Sequence, residues 1–337
     1  MSFDLKKINH PNIKFGKTGV LIVNLGTPDS TNWWDVRKYL KEFLSDRRVI
    51  EINPFVWQLI LNLFILTFRP SKTANAYKKI WMNDINESPL RYYTNSQATK
   101  LRNKIGNDNV IIDFGMRYGN PSLKNKLDYL QKEGCEKIII FPLYPQYAAA
   151  TTATVCDQVY RNLMCMRWQP GLQIIPHYES EPLFIDALVK SIKKKISEIN
   201  WKPDLIIASY HGIPKKYFIK GDPYHCYCHK TTRLIKEKLD EIPIETTFQS
   251  RFGPQEWLRP YTDKTLEKLP AEGKKKVLVI CPGFSSDCVE TLEEISIQGK
   301  ESFLKNGGEN YDVVPCLNDN DDHIKMMEHI IKKYLIN

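Results

Sequence analysis

Six strand-length apolar runs recur along the chain with helix-like segments between them: TGVLIVNLG, NVIIDFGM, EKIIIFPL, PDLIIASYHG, IETTFQSR and KKKVLVICPGF. Several are apolar at nearly every position, which suits parallel strands covered on both faces by helices. Segments such as PSLKNKLDYLQKEG show helical apolar spacing and stop at a glycine, the residue best suited to the left-handed position after a helix. The two halves also share their punctuation. VLIVNLGTP resembles LIIASYHGIP, DFGMRYGNPSL resembles FQSRFGPQEWL, and KIIIFPLYPQY resembles VLVICPGFSSD, with Gly or Pro ending the strands in the same order. The pattern predicts an α/β chain of two doubly wound domains with parallel sheets, related by pseudo-duplication. The stretch from Gly26 to Gly119 is about fifty residues longer than its counterpart from Gly212 to Gly253. Residues 45–95, approximately, therefore read as an insertion in a first domain spanning 1–165. A second domain is expected over 166–315, and a C-terminal helix over 316–337 that packs back on the first.

A length of 337 residues exceeds the usual single core and agrees with two domains. The net charge of +9 does not single out nucleic acid, because the basic residues are scattered. The runs at 193–195 and 274–276 read as solvated surface, and no nucleic-acid partner is expected. The amino terminus, MSFDLKKINHPNIKFGKTGV, has no apolar stretch of signal-peptide length, so a cytoplasmic protein is expected. Eight cysteines in such a chain argue against a disulfide framework. The most apolar segment, FVWQLILNLFILTF at 55–68, is interrupted by Gln58, Asn62 and Thr67 and is too short to span a bilayer. It is either a buried helix or one lying on a membrane.

Ligands of doubly wound sheets bind beyond the carboxyl ends of the strands. That rule selects Asn24, Arg117, Tyr118, Tyr144, His211, Arg251 and the segment after Phe284. His211 precedes Gly212, where the backbone can turn sharply. A neutral imidazole there accepts a proton or binds a metal; the plainer alternative is a loop hydrogen bond. Glu290 admits two readings. With Asp287 as N-cap it completes an acidic capping box. With Glu293 and Glu294 it crowds one helical face, an anionic patch suited to a hard divalent cation. In His225-Cys226-Tyr227-Cys228-His229 the spacing is poor for zinc, and a helix would turn Cys226 and Cys228 to opposite sides while His225 and His229 share a face. The absence of GxxxxGK[ST], GxGxxG and GxSxG motifs weighs against nucleotide hydrolysis, hydride transfer and serine hydrolysis.

VNLGTPDS, YPQY followed by TT, SYHGIP, GDPY, FQSRFGPQEWLRPYTD and PGFSSDCVETLEEI resemble, in order, the characteristic blocks of ferrochelatases, in the form found in Gram-negative bacteria. The resemblance runs from residue 20 to about 300. It implies two Rossmann-like domains of the chelatase type and a lyase that inserts Fe2+ into protoporphyrin IX. His211 and Glu290 fall on the family's catalytic pair, and Arg117, Tyr118, Tyr147, Trp257 and Phe284 on positions in or beside its pocket. Asn24 joins these as a substrate-binding candidate. His211, Glu290 and Glu294 match a metal path, and the insertion matches an apolar lip that touches the membrane, implying peripheral association with the inner membrane through 55–68. Some relatives hold a 2Fe–2S cluster with a cysteine-rich tail. Here only Cys316 lies near the end, HIIKKYLIN, and YAAATT lacks the cysteine of the animal proteins. No tightly bound cofactor is expected; Fe2+ enters as substrate. Two rivals remain: a chelatase for cobalt, nickel or another tetrapyrrole such as coproporphyrin, and a non-catalytic tetrapyrrole carrier.

Overall fold

The structure is a computed structural model describing residues 14–239 and 242–335. Its strands are β1 (Lys17–Thr27), β2 (Val110–Gly119), β3 (Cys135–Pro142), β4 (Gly171–Ile174), β5 (Leu205–His211), β6 (Ile244–Gln249), β7 (Lys276–Ile280) and β8 (Asn310–Val313). They form two four-stranded sheets, ordered β2-β1-β3-β4 and β6-β5-β7-β8. Every pairing is parallel. The fold is α/β, and the same strand order occurs twice. The short strands β4 and β8 lie outside the six apolar runs. Because β4 pairs with β3, the chain of the first sheet extends past residue 165.

Alternation along the central strands sorts their side chains onto two faces. Val20 and Ile22 of β1 pack with Ala98 and Leu101 of helix Pro89–Ile105. Leu21 and Val23 face the other way, onto Leu123 and Leu127 of helix Leu123–Lys132 and Val155 of helix Thr154–Met164. In the second sheet Leu205 and Ile207 meet Leu266, Ile295 and Phe303. Ile206, Ala208 and Tyr210, however, join the same cluster as Val20 and Ile22. One core thus runs between the two sheets, completed by helices Pro182–Glu198 and Asp321–Leu335. Each fully buried aliphatic side chain there stabilises the fold by roughly 1.5–3 kcal/mol. The last helix packs on Pro89–Ile105 and Pro182–Glu198.

Helix Pro89–Ile105 rests on β1 and β2 as their crossover, capped by Ser88, whose hydroxyl accepts from the Arg91 amide. The extra elements therefore end earlier than the expected residue 95 and begin sooner than 45. They are helices Trp33–Leu44, Pro54–Ile60 and Leu66–Ile80, with a π-helical turn at Leu61–Ile65. Their own small core contains Tyr39, Leu40, Trp57, Leu61 and Leu66. Along 55–68 the opposite face is bare: Phe55 is 85%, Leu59 63%, Leu63 62% and Phe68 73% exposed. The stretch is an amphipathic helix with an outward apolar ridge, not a buried one. Among the described residues, no helix is long and apolar enough to cross a membrane.

Candidate active site

His211 is the last residue of β5, and its Nδ1 lies 2.7 Å from the carbonyl oxygen of Gly212. A carbonyl oxygen only accepts, so Nδ1 carries the proton and Nε2 keeps its lone pair. Glycine is required next to it: a Cβ at 212 would stand 2.9 Å from the Gln249 carbonyl oxygen and 3.2 Å from the Trp257 ring. The histidine is thereby aimed by backbone that no larger residue could replace.

Beyond β7 the chain enters a π-helical segment, Glu290–Gly299. Its wide winding pairs residues five apart. Gln298 Nε2 donates to both oxygens of Glu293, at 2.9 and 2.7 Å, and Lys79 of the insertion reaches the same carboxylate at 2.8 Å. Glu294 turns elsewhere: it accepts from the Ser250 amide at 2.7 Å and from the Ser250 hydroxyl. Ser250 adopts the left-handed conformation (φ 64°), rare for a residue with a Cβ, which points its N–H at this carboxylate. Gln249 Nε2 donates to the Glu290 carbonyl at 2.9 Å. The expected crowding of three glutamates on one face is therefore corrected: Glu293 is drawn toward Lys79, and Glu294 toward Ser250. Burial pushes the Glu294 carboxyl above the usual range; the Ser250 bonds and the neighbouring His211 oppose this, while Glu290 adds to it. The expected capping box is also absent. Asp287 accepts from the Thr291 hydroxyl, the Cys316 amide and the Asn318 side chain instead.

The facing wall comes from the insertion. Tyr39, Tyr77 and Arg69 all feel the charge of Glu290. Burial raises the two phenol pKa values and lowers that of Arg69, whose guanidinium lies over the Phe252 ring, 4.8 Å from its centroid. Arg69 is half-buried and, among the described residues, forms no hydrogen bond or ion pair. None of the three was anticipated; the only signal was the Arg69-Pro70 pair breaking an apolar run.

The other anticipated residues divide. Asn24 is buried and spans the two lobes, donating to Thr94 Oγ1 at 3.1 Å and Ser285 Oγ at 3.5 Å. Tyr147 is half-exposed beside Arg48 and Asp222. Trp257 is buried against Gly212 with its indole N–H on the Phe252 carbonyl at 3.0 Å, and Phe284 is half-buried against the outer core of the second sheet. Arg117 and Tyr118 are drawn inward. Both are buried: Arg117 is ion-paired to Asp46 and bonded to Thr154, and the Tyr118 hydroxyl reaches Asp46 at 3.0 Å. They brace the insertion through Asp46. Tyr144 is likewise buried, in the outer core of the first sheet, and Arg251 pairs with Asp263. The set His211, Glu290 and Glu294 is not a ready three-ligand metal site. No three His, Cys, Asp or Glu groups converge to hold a metal among the described residues, and Ser250 occupies Glu294. Cys226 is exposed and Cys228 buried, on opposite sides of helix Tyr224–Lys236 as the spacing predicts.

Twin parallel sheets with an imidazole at one strand end, near carboxylates of a wide helix, define a chelatase-like α/β protein. SirB from Bacillus subtilis with Fe3+ superposes with a TM-score of 0.57 at 9% identity, covering 94% of this chain and 95% of that one. CbiX, the terminal enzyme for siroheme biosynthesis in denitrifying bacteria, gives 0.51 at 12% identity, with coverages of 94% and 98%. A ferrochelatase family model matches residues 17–335. Curated ferrochelatases from Allorhizobium ampelinum and Rhizobium meliloti are 54% and 53% identical, over 97% of this chain and 96% and 97% of their own lengths. The ferrochelatase of Brucella ovis is 49% identical over 97% of this chain and 94% of its own. The chain belongs to the ferrochelatase family and is an enzyme, a lyase.

The brace at Asp46 gives a direct test. Asp46→Ala would leave the Arg117 guanidinium buried without its counter-charge, and breaking such a pair costs about 3–5 kcal/mol. Chemical denaturation should show a loss of that size; a change under 1 kcal/mol would mean that Arg117 finds water or another partner.

Proposed function

We propose that the protein inserts Fe2+ into protoporphyrin IX, releasing two protons, as the last step of haem biosynthesis. The observation that carries this reading is the contact of His211 Nδ1 with the Gly212 carbonyl oxygen: that contact ties down an Nδ1 proton and leaves Nε2 as the proton acceptor, near the acidic π-helix. A free-base porphyrin must lose two pyrrole protons while the metal forms its bonds to nitrogen. Nε2 of His211 takes a pyrrole proton in a general-base step, worth typically 10²–10⁴-fold in rate. Glu290, with Glu294 behind it, passes Fe2+ toward the ring, and each carboxylate that exchanges water for metal lowers the desolvation cost of the ion. A proton acceptor beside a metal-directing carboxylate is superfluous in a carrier, which favours catalysis over storage.

The opposite wall suits a flat apolar ring with carboxylates on its edge. Arg69 is the natural counter-charge for such a carboxylate, half-buried over the Phe252 ring and without a hydrogen bond or ion pair among the described residues. Asn24, Tyr147, Trp257 and Phe284 remain candidates for packing around the ring. The ridge of Phe55, Leu59, Leu63, Phe64 and Phe68 supports peripheral attachment to the cytoplasmic face of the inner membrane, where so apolar a substrate resides. Lys72 and Lys78 are exposed beyond it and suit anionic headgroups, whereas Lys79 is held by Glu293.

Three outcomes are expected. His211→Ala should reduce Fe2+ or Zn2+ insertion by at least 100-fold while porphyrin binding, read by fluorescence, persists; retained turnover would refute the assignment. Ser250→Ala should act through Glu294. A hydrogen bond to the ionised carboxylate lowers its pKa, so losing the hydroxyl raises it further, and the acid limb of the rate profile should move up by about one pH unit. An unmoved limb would remove Glu294 from the reaction. Finally, Leu63→Asp with Phe64→Asp should abolish co-sedimentation with anionic vesicles yet spare insertion in detergent; unchanged sedimentation would count against the ridge.

A further inference from the structure

Helix Tyr224–Lys236 carries two imidazoles that the proposed reaction does not use. His225 and His229 stand one turn apart, with ring centroids 4.4 Å from each other and planes inclined at 48°. Both lean on Phe248 of β6, at 5.8 and 6.1 Å, and His225 also meets Phe218 at 5.1 Å. These apolar contacts fix the rings without engaging their nitrogens.

The remaining described histidines all find oxygen. His177 meets Glu179 at 2.6 Å, His211 the Gly212 carbonyl at 2.7 Å, His323 the Asn318 carbonyl at 2.6 Å, and His329 approaches Glu181 at 3.8 Å. Among the described residues, only His225 and His229 of this type make no hydrogen bond or ion pair. Burial holds both below the ordinary imidazole range, and His225 lowers His229 further. Two imidazoles one turn apart on one helical face, with rings 4.4 Å from each other and nitrogens not engaged by the described residues, form a bidentate donor for borderline divalent metals.

We propose that His225 and His229 form a two-histidine site for a divalent transition-metal ion of the zinc, nickel or copper class, separate from the residues assigned to insertion. Water completes the coordination shell, because among the described residues no third His, Cys, Asp or Glu converges on the pair. Cys226 is exposed nearby but is not part of the donor set. With two protein ligands the ion exchanges freely, as suits a site that senses or stages metal more than one that stores it.

Titration calorimetry with Ni2+ tests this, using a His211→Ala background so that the other candidate imidazole contributes nothing. One equivalent should bind. Either His225→Ala or His229→Ala should weaken it at least tenfold, the loss expected when a chelating partner with high effective concentration is removed. Cys226→Ser should change it less than twofold. Both histidine substitutions also remove ring contacts with Phe248, so an unchanged melting temperature is required of each variant before its binding is read. The proposal is overturned if no equivalent binds, if binding survives in the His225→Ala/His229→Ala double variant, or if Cys226→Ser alone abolishes it.

Discussion

The site depends on a helix wound too wide. In an α-helix, Glu290, Glu293 and Glu294 would share one face and repel each other by a few tenths of a kcal/mol per pair. The π-helical winding of Glu290–Gly299 separates their tasks. Gln298, five residues on, engages Glu293 together with Lys79, which ties the helix to the insertion. Glu294 turns to Ser250 beside His211. One irregular helix thus anchors the insertion and brings carboxylates toward the imidazole. Such irregularity is poor in local hydrogen-bond geometry, and it persists because Gln249 and Ser250 at the end of β6 and Lys79 of helix Leu66–Ile80 grip the segment from two sides.

Those grips require the lobes to be held in register, which the shared core supplies. Ile22 and Ile206 belong to one cluster although they come from different sheets. Where that core reaches the strand ends, polar contacts take over. Asn24 reaches Ser285, Gln97 Nε2 donates to Ser286 Oγ at 3.0 Å and to the Asn318 carbonyl at 2.8 Å, and Gln146 Nε2 donates to Thr231 at 2.9 Å. Each such bond contributes only about 1 kcal/mol net. Their value is directional, because an apolar seam would allow sliding, and sliding would misplace Glu290 relative to Arg69 and the tyrosines.

The duplicated sheets could be read from Gly and Pro at matched strand ends, since those residues mark backbone turns whatever packs around them. Strands β4 and β8 were missed because four residues of GLQI or NYDV carry no long apolar run. A further echo was present: both continue to a proline, in QIIP and DVVP. His211 was legible because it follows an apolar strand and precedes a glycine. Arg117 looked equally promising at its strand end, yet its fate was decided by Asp46, seventy-one residues away. The π-winding was equally hidden, for nothing in VETLEEISIQG distinguishes it from an ordinary amphipathic helix. Strand-end position is a local property; which side chain finds a buried counter-charge is not.

That distinction clarifies Arg69. Its sequence neighbour Phe68 is 73% exposed on the apolar ridge, whereas Arg69 itself turns inward over Phe252 toward the charge of Glu290. A half-buried guanidinium without an ion pair among the described residues is costly to maintain, and Lys79 shows that this same helix can satisfy a cation when it needs to. On the proposed reading, the two faces of one helical turn serve the two parts of one substrate. The ridge meets the lipid that dissolves the ring, and the guanidinium meets the carboxylates on the ring edge. A ligand with either property alone would need only half of this helix.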